Sequence, residues 1–163
     1  MKEKLFVILF SSFLVLFFAG CTDPLSSPRD IPINDLLSAP DTLELENQKI
    51  VMTTYMWRDF MPISPPNGKP LITIVYIETT DSSVISPSIS ADAIYIINRT
   101  EIWKSYFSDE QPAGESKPFR IARIARDGPK WGPGIYVDVV VQLKVNRTIY
   151  LLKATRQYIG RTD

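Results

Sequence analysis

Cys21 is the single thiol in the chain, and no histidine accompanies it. The absence of histidine removes the usual general base, the usual metal ligand and the usual physiological pH switch together. Ser-His-Asp and Cys-His nucleophilic chemistry are therefore excluded. The carboxylates open to recruitment for glycoside hydrolysis or calcium are Asp59, Asp92, Asp127 and Asp138, but no D-x-D-x-D-G loop or comparable ligand spacing frames them. Solvated surface carboxylates are the expectation, with no cofactor, no metal and no enzymatic activity.

Recognition is better provided for than catalysis. Trp57, Arg58, Asp59 and Phe60 combine aromatics with an adjacent pair of opposite charges just before a proline-rich loop at 63–70. Two readings apply to them. They form a binding cluster, or Trp57 and Phe60 close one end of a core while Arg58 and Asp59 cap the turn. A second cluster runs from Arg126 to Pro133, a loop pinned by glycine and proline with Trp131 at its tip. Trp131 is either a stacking platform for a sugar or peptide, or a plug folded back over the core. Trp103 reads as a core or near-core residue.

These residues need a scaffold, and the first twenty residues say where it is delivered. Lys2 and Lys4 begin a short basic start, residues 5–18 form an apolar run, and Ala19-Gly20 supply small residues at a cleavage point. As a helix the run would span about 21 Å, short of the roughly 30 Å hydrocarbon core of a bilayer. It is expected to act as an export signal. The stretch Phe18-Ala19-Gly20-Cys21 resembles the lipobox of bacterial lipoproteins, with Phe18 where that class most often has Leu. The resemblance implies that Cys21 becomes the acylated mature N-terminus. Each buried CH₂ of an acyl chain contributes ~0.8 kcal/mol, so two or three chains hold a domain at a membrane. Thr22 is not the Asp that the same class associates with inner-membrane retention, which implies the outer membrane.

Without residues 1–20 the chain carries 16 basic and 17 acidic residues. A nearly neutral domain has no electrostatic footprint for nucleic acid. The expected partners are the membrane, through Cys21, and an envelope protein or glycan. The remaining 143 residues suit one domain whose core needs no disulfide.

Residues 21–42 hold Pro24, Pro28, Pro32 and Pro40 among Ser, Asp and Asn, and read as a tether. Within it Ile31, Ile33, Leu36 and Leu37 are apolar enough to dock as a short turn or edge element, leaving 22–30 as the freer part. From 43 to 163 short β-branched and aromatic segments alternate with Pro, Gly, Asp, Ser and Asn clusters. Strands are expected at 50–57, 71–78, 93–97, 102–107, 119–125, 135–145 and 148–158. Seven strands without a long helix predict an all-β antiparallel sandwich. Asn98-Arg99-Thr100-Glu101 and Asn146-Arg147 read as tight hairpin turns, which explains both N-x-T matches without glycosylation. In 135–145 the residues Ile135, Val137, Val139, Val141, Leu143 and Val145 share the core face. The 119–126 segment also satisfies a helical spacing through Ile121, Ile124 and Ala125.

Gly132-Pro133-Gly134-Ile135-Tyr136 resembles the turn entering strand F of immunoglobulin-like and fibronectin-type domains, although Tyr136 has the wrong parity for a tyrosine corner. The order of Trp103, Phe107, Gly114-Glu115, Phe119 and Gly134-Ile135-Tyr136 also resembles small sandwich proteinase inhibitors of the BsuPI type. The expected function is non-covalent recognition at a cell envelope. A structural subunit of an envelope assembly and an inhibitor-like module are the alternatives.

Overall fold

The computed structural model describes residues 29–114 and 117–163. The leader, Cys21 and the tether as far as residue 28 lie outside the described residues. A short helix, α1 (Ile33–Leu37), precedes eight strands: β1 (Thr42–Leu45), β2 (Gln48–Asp59), β3 (Leu71–Thr79), β4 (Ile89–Asn98), β5 (Glu101–Tyr106), β6 (Arg120–Gly128), β7 (Tyr136–Val145) and β8 (Thr148–Thr162). All seven expected strands are present. β1 is an addition, and the ambiguous 119–126 segment is a strand.

The strands run in the order β5-β4-β7-β8-β2-β3-β6, with β1 beside β2. β8 belongs to both halves of this curled sheet. Its first part pairs antiparallel with β7, from Thr148 opposite Val145 to Tyr158 opposite Tyr136. Its last residues pair parallel with β2, Met56 opposite Ile159 and Asp59 opposite Thr162. The sheet thus folds into two layers, β5-β4-β7-β8 against β8-β2-β3-β6, as a β-sandwich. The parallel β2–β8 seam is the one departure from the antiparallel expectation. Local patterning sets which face a strand buries, whereas a seam between the first and last long strands is a tertiary choice.

Turn chemistry explains the hairpins. Arg99 and Asn146 occupy positive φ at the two expected turns, and Glu46 and Asn47 do so between β1 and β2. Two-residue loops of this conformation match the natural twist of the flanking strands. In β8 a register shift opposite Val137 and Val139 coincides with Arg156 at φ 54, and the Asp138 Oδ1 accepts the Arg156 N–H at 2.9 Å. That bend turns β8 from one layer into the other.

The main core lies between the layers and includes Ile50, Met56, Val75, Ile77, Ile94, Ile96, Val139, Val141, Leu143, Leu152 and Ile159. A second cluster lies on the outside of the β5-β4-β7-β8 layer. There Leu36 and Ala39 cover Ala93, Tyr95, Ile97 and Val140, with Ile31 and Ile33 packed beside them. Leu36 is fully buried, which contributes about 2 kcal/mol. The part of the proline-rich segment from Ile31 onward is therefore docked on the domain. The Lys153 N–H, on the free edge of β8, donates to the Pro40 carbonyl at 2.8 Å and ties the strap across that edge.

Candidate functional site

The two sequence clusters meet at one end of the sandwich, and Arg58 joins them. Ile50, Met52, Met56 and Arg58 fall on the inward face of β2, so the guanidinium points into the end of the core and is only 1% exposed. Its Nε donates to the Lys69 carbonyl at 3.0 Å, and its Nη1 donates to the carbonyls of Lys130 at 3.0 Å and Gly132 at 2.7 Å. Nη2 donates to the Asn67 carbonyl. Burial pulls the guanidinium below its ordinary pKa, and the carbonyl dipoles of two loops hold its charge.

The neighbours of Arg58 brace the same loops. Asp59 forms an ion pair with Lys69 at 2.8 Å and accepts the Met61 N–H at 2.9 Å. Those contacts, Lys69 first, hold its carboxyl below the usual range. The Phe60 ring receives Arg58 at 5.0 Å and Arg161 at 4.1 Å from its centroid. Gly68, at φ +60, lies so close to this ring that a Cβ would sit 2.6 Å from it. Trp131 is partly buried and packs against the main core, as does Trp103. Arg58, Asp59, Phe60 and Trp131 are therefore placed as the brace of this end of the sandwich.

Trp57 departs from that group. One residue out of phase with Arg58, it faces outward on β2, its ring 5.0 Å from that of Tyr55. Register places Ile74 opposite Tyr55, Ile72 opposite Trp57, Tyr76 opposite Thr53 and Glu78 opposite Val51. On the outer face of the β2–β3 pair, half-buried Val51, Trp57, Ile72, Ile74 and Tyr76 and exposed Tyr55 surround the exposed Thr53, an apolar share larger than the polar face an exposed antiparallel sheet ordinarily carries. Tyr55 is 55% exposed. Arg120 closes one margin, stacked 4.6 Å from the Tyr76 ring and paired with Glu78. At the seam, Tyr158 and Tyr136 form a second exposed pair with centroids 5.3 Å apart, and Arg156 lies 5.1 Å from the Tyr136 ring.

This face was only half visible beforehand. Trp57 belongs to a candidate binding cluster of the sequence, whereas Leu71 to Ile77 is apolar on both faces apart from Thr73, the pattern of a strand covered on both sides. The parity of β2, with Arg58 inward, is the signal that would have turned Trp57 and Tyr55 outward.

The four carboxylates considered for chemistry are dispersed. Asp59 sits in the brace, Asp92 accepts from the Gln142 Nε2 at 3.1 Å, and Asp138 holds the β8 bend. Asp127 occupies positive φ where β6 and β3 lose register. Among the described residues no three His, Cys, Asp or Glu side chains converge as metal ligands. An open cleft of about 430 Å³, lined by Asp92, Tyr106, Ser108, Asp109, Gln111 and Arg123, lies where β4, the chain after β5 and β6 meet.

The class of molecule defined here is a two-layer β-sandwich with one strapped outer face and one apolar outer face. Comparison with models of known protein families, with curated proteins and with solved structures finds no match.

Proposed function

We propose that the chain is a non-catalytic recognition module of a bacterial cell envelope, held at the outer membrane by acylation of Cys21. The observation that carries the recognition reading is the uncovered face of Val51, Tyr55, Trp57, Ile72, Ile74 and Tyr76. Leaving apolar side chains in water is unfavourable, and contiguous exposed apolar surface is a feature of interaction sites. Tyr, Trp and Arg are also the residue types that dominate interface energetics. Dispersed carboxylates and the lack of histidine give catalysis no comparable support.

Two measurements test the reading. The intact mass and membrane partitioning of the native protein are compared with those of Cys21→Ser. An acylated product released by the substitution is expected, whereas a soluble, unmodified native chain would remove the anchor. Detergent extracts of native membranes are then run on blue-native gels. Wild type should migrate in a complex larger than the monomer, and Tyr55→Ser should shift it to the free chain. Equal migration of both overturns recognition through this face.

A further inference from the structure

The strands that end the sheet, β5 and β6, are bridged where the chain crosses between the layers. After β5 the Phe107 N–H donates to the Asp92 carbonyl at 3.5 Å, and the Ser108 N–H donates to the Ile124 carbonyl at 2.9 Å. The open cleft of about 430 Å³ lies beside this crossing, and its lining holds charges of both signs, Asp92 and Asp109 against Arg123.

Two of those charges are aimed by the backbone. In β4 Ala91 lies opposite Leu143 and Ala93 opposite Gln142, so Asp92 is the extra residue of a bulge. Ala91 belongs to the main core but Ala93 to the outer cluster, which shows how sharply the bulge re-aims the strand. Arg123 stands opposite the buried Val75, between Ile121 and Ala125, which both pack in the main core. Alternation therefore turns its side chain inward, between the layers. An inward charge guards a sheet edge against pairing, but Ser108 already takes the Ile124 carbonyl of that edge.

Among the described residues none of the three charges forms a salt bridge. The Arg123 Nη1 donates to the Ala122 carbonyl across a long 3.4 Å. Behind Asp92 the Gln142 side chain is buried, and its Nε2 donates to the carboxylate at 3.1 Å. The Gln142 Oε1 has no donor among the described residues. The Asp92 side of the cleft is thus rich in acceptors and short of donors, whereas Arg123 offers donors alone.

We infer that this cleft binds a small zwitterionic amine of the diamino-acid class, its carboxylate on Arg123 and its two ammonium groups on Asp92 and Asp109. Such a ligand matches two carboxylates and one guanidinium charge for charge. A neutral sugar leaves all three charges facing hydroxyls, and a simple anion meets two carboxylates. The volume is in the range of small-molecule sites. The site rests neither on acylation of Cys21 nor on the outer face of β2 and β3.

The test uses the full chain, extracted in a non-ionic detergent, in equilibrium dialysis against radiolabelled L-lysine. A Kd of about 1 mM or tighter is expected, the range open to a ligand of about ten non-hydrogen atoms in an open cleft. Cadaverine, which lacks the carboxylate, and L-norleucine, which lacks the side-chain ammonium, should each compete at least about tenfold more weakly than unlabelled L-lysine. No binding of lysine up to about 10 mM overturns the proposal, as does stronger competition by N-acetylglucosamine than by lysine. Competition by cadaverine or norleucine equal to that of lysine overturns the diamino-acid assignment.

Substitution then locates the site. Arg123→Gln and Asp92→Asn should each weaken lysine binding at least about tenfold, with melting temperatures within a few degrees of the wild type. Unchanged affinity in either folded variant overturns the placement in this cleft. Should a variant fail to fold, the ligand series on the wild-type chain still decides.

Discussion

The Arg58 Nη1 lies 2.7 Å from the carbonyl oxygen of Gly132, a residue 74 positions further along the chain. Through this bond and its partners at Asn67, Lys69 and Lys130, one side chain fixes two loops that share no strand pairing with each other. A planar fork with five donors can do this, and a lysine ammonium cannot reproduce the geometry.

Replacing Arg58 with Met should therefore destabilise the domain by about 2–4 kcal/mol, because four part-buried carbonyls lose their donor together. Arg58→Lys should recover less than half of that loss. Urea unfolding of the three proteins measures both. A melting curve unchanged by Arg58→Met, accompanied by lost partner binding, would instead make Arg58 a recognition residue.

Trp131 and Trp57 should separate under substitution. Trp131→Ala removes a ring packed on the main core and is expected to lower stability by about 2 kcal/mol or more. Trp57→Ser removes an outward ring whose described aromatic contact is with Tyr55, and about 1 kcal/mol is expected. Complex formation should respond in the opposite order. Equal stability losses would place Trp57 among the core residues.

Gly68→Ala tests the loop brace from its other side. The substitution forces a Cβ into a left-handed conformation and onto the Phe60 ring. A loss of about 1–3 kcal/mol is expected. The double variant Gly68→Ala, Phe60→Ala should show non-additivity, since the second change removes the atoms that the first one strikes.

The pH dependence of stability has a defined sign. The Asp59 carboxyl is depressed by Lys69 and the Met61 N–H, Asp81 by Ser83, and Glu46 by Ser86 and Ser88. Each depressed group contributes stability that is present above its unfolded value, about 4, and is lost as the pH falls through its folded value. Tyr95, raised chiefly by burial, acts the other way: its contribution is present below about pH 10 and is lost as the pH rises further. With no histidine in the chain, the melting temperature should be nearly flat from pH 5 to 8 and fall below pH 4. A transition near pH 6.5 in thermal melts would contradict this assignment.

The strands and their buried faces were legible because period-two alternation is local. β7 shows it plainly: Val137, Val139, Val141, Leu143 and Val145 are all buried as their spacing requires. β1 was missed because its four residues include two polar side chains and bury only Leu45. The turn at Glu46-Asn47 was its one advertisement. Arg58 misled for another reason. An arginine beside an aspartate at a strand end reads as a solvated cap, and only loop carbonyls distant in sequence make burial tolerable. Ile72 and Ile74 misled similarly, since an apolar residue left half-buried on an outer sheet face has the same sequence signature as one covered from within.

β8 carries a kinetic consequence. Its residues 159–162 close the sandwich against β2, roughly a hundred positions earlier. Contacts of such separation form late, after the entropy of a long loop has been overcome. During synthesis the far half of β2 therefore waits with one edge unpaired until the final strand emerges. The two layers become a closed unit only once β8 is free to pair.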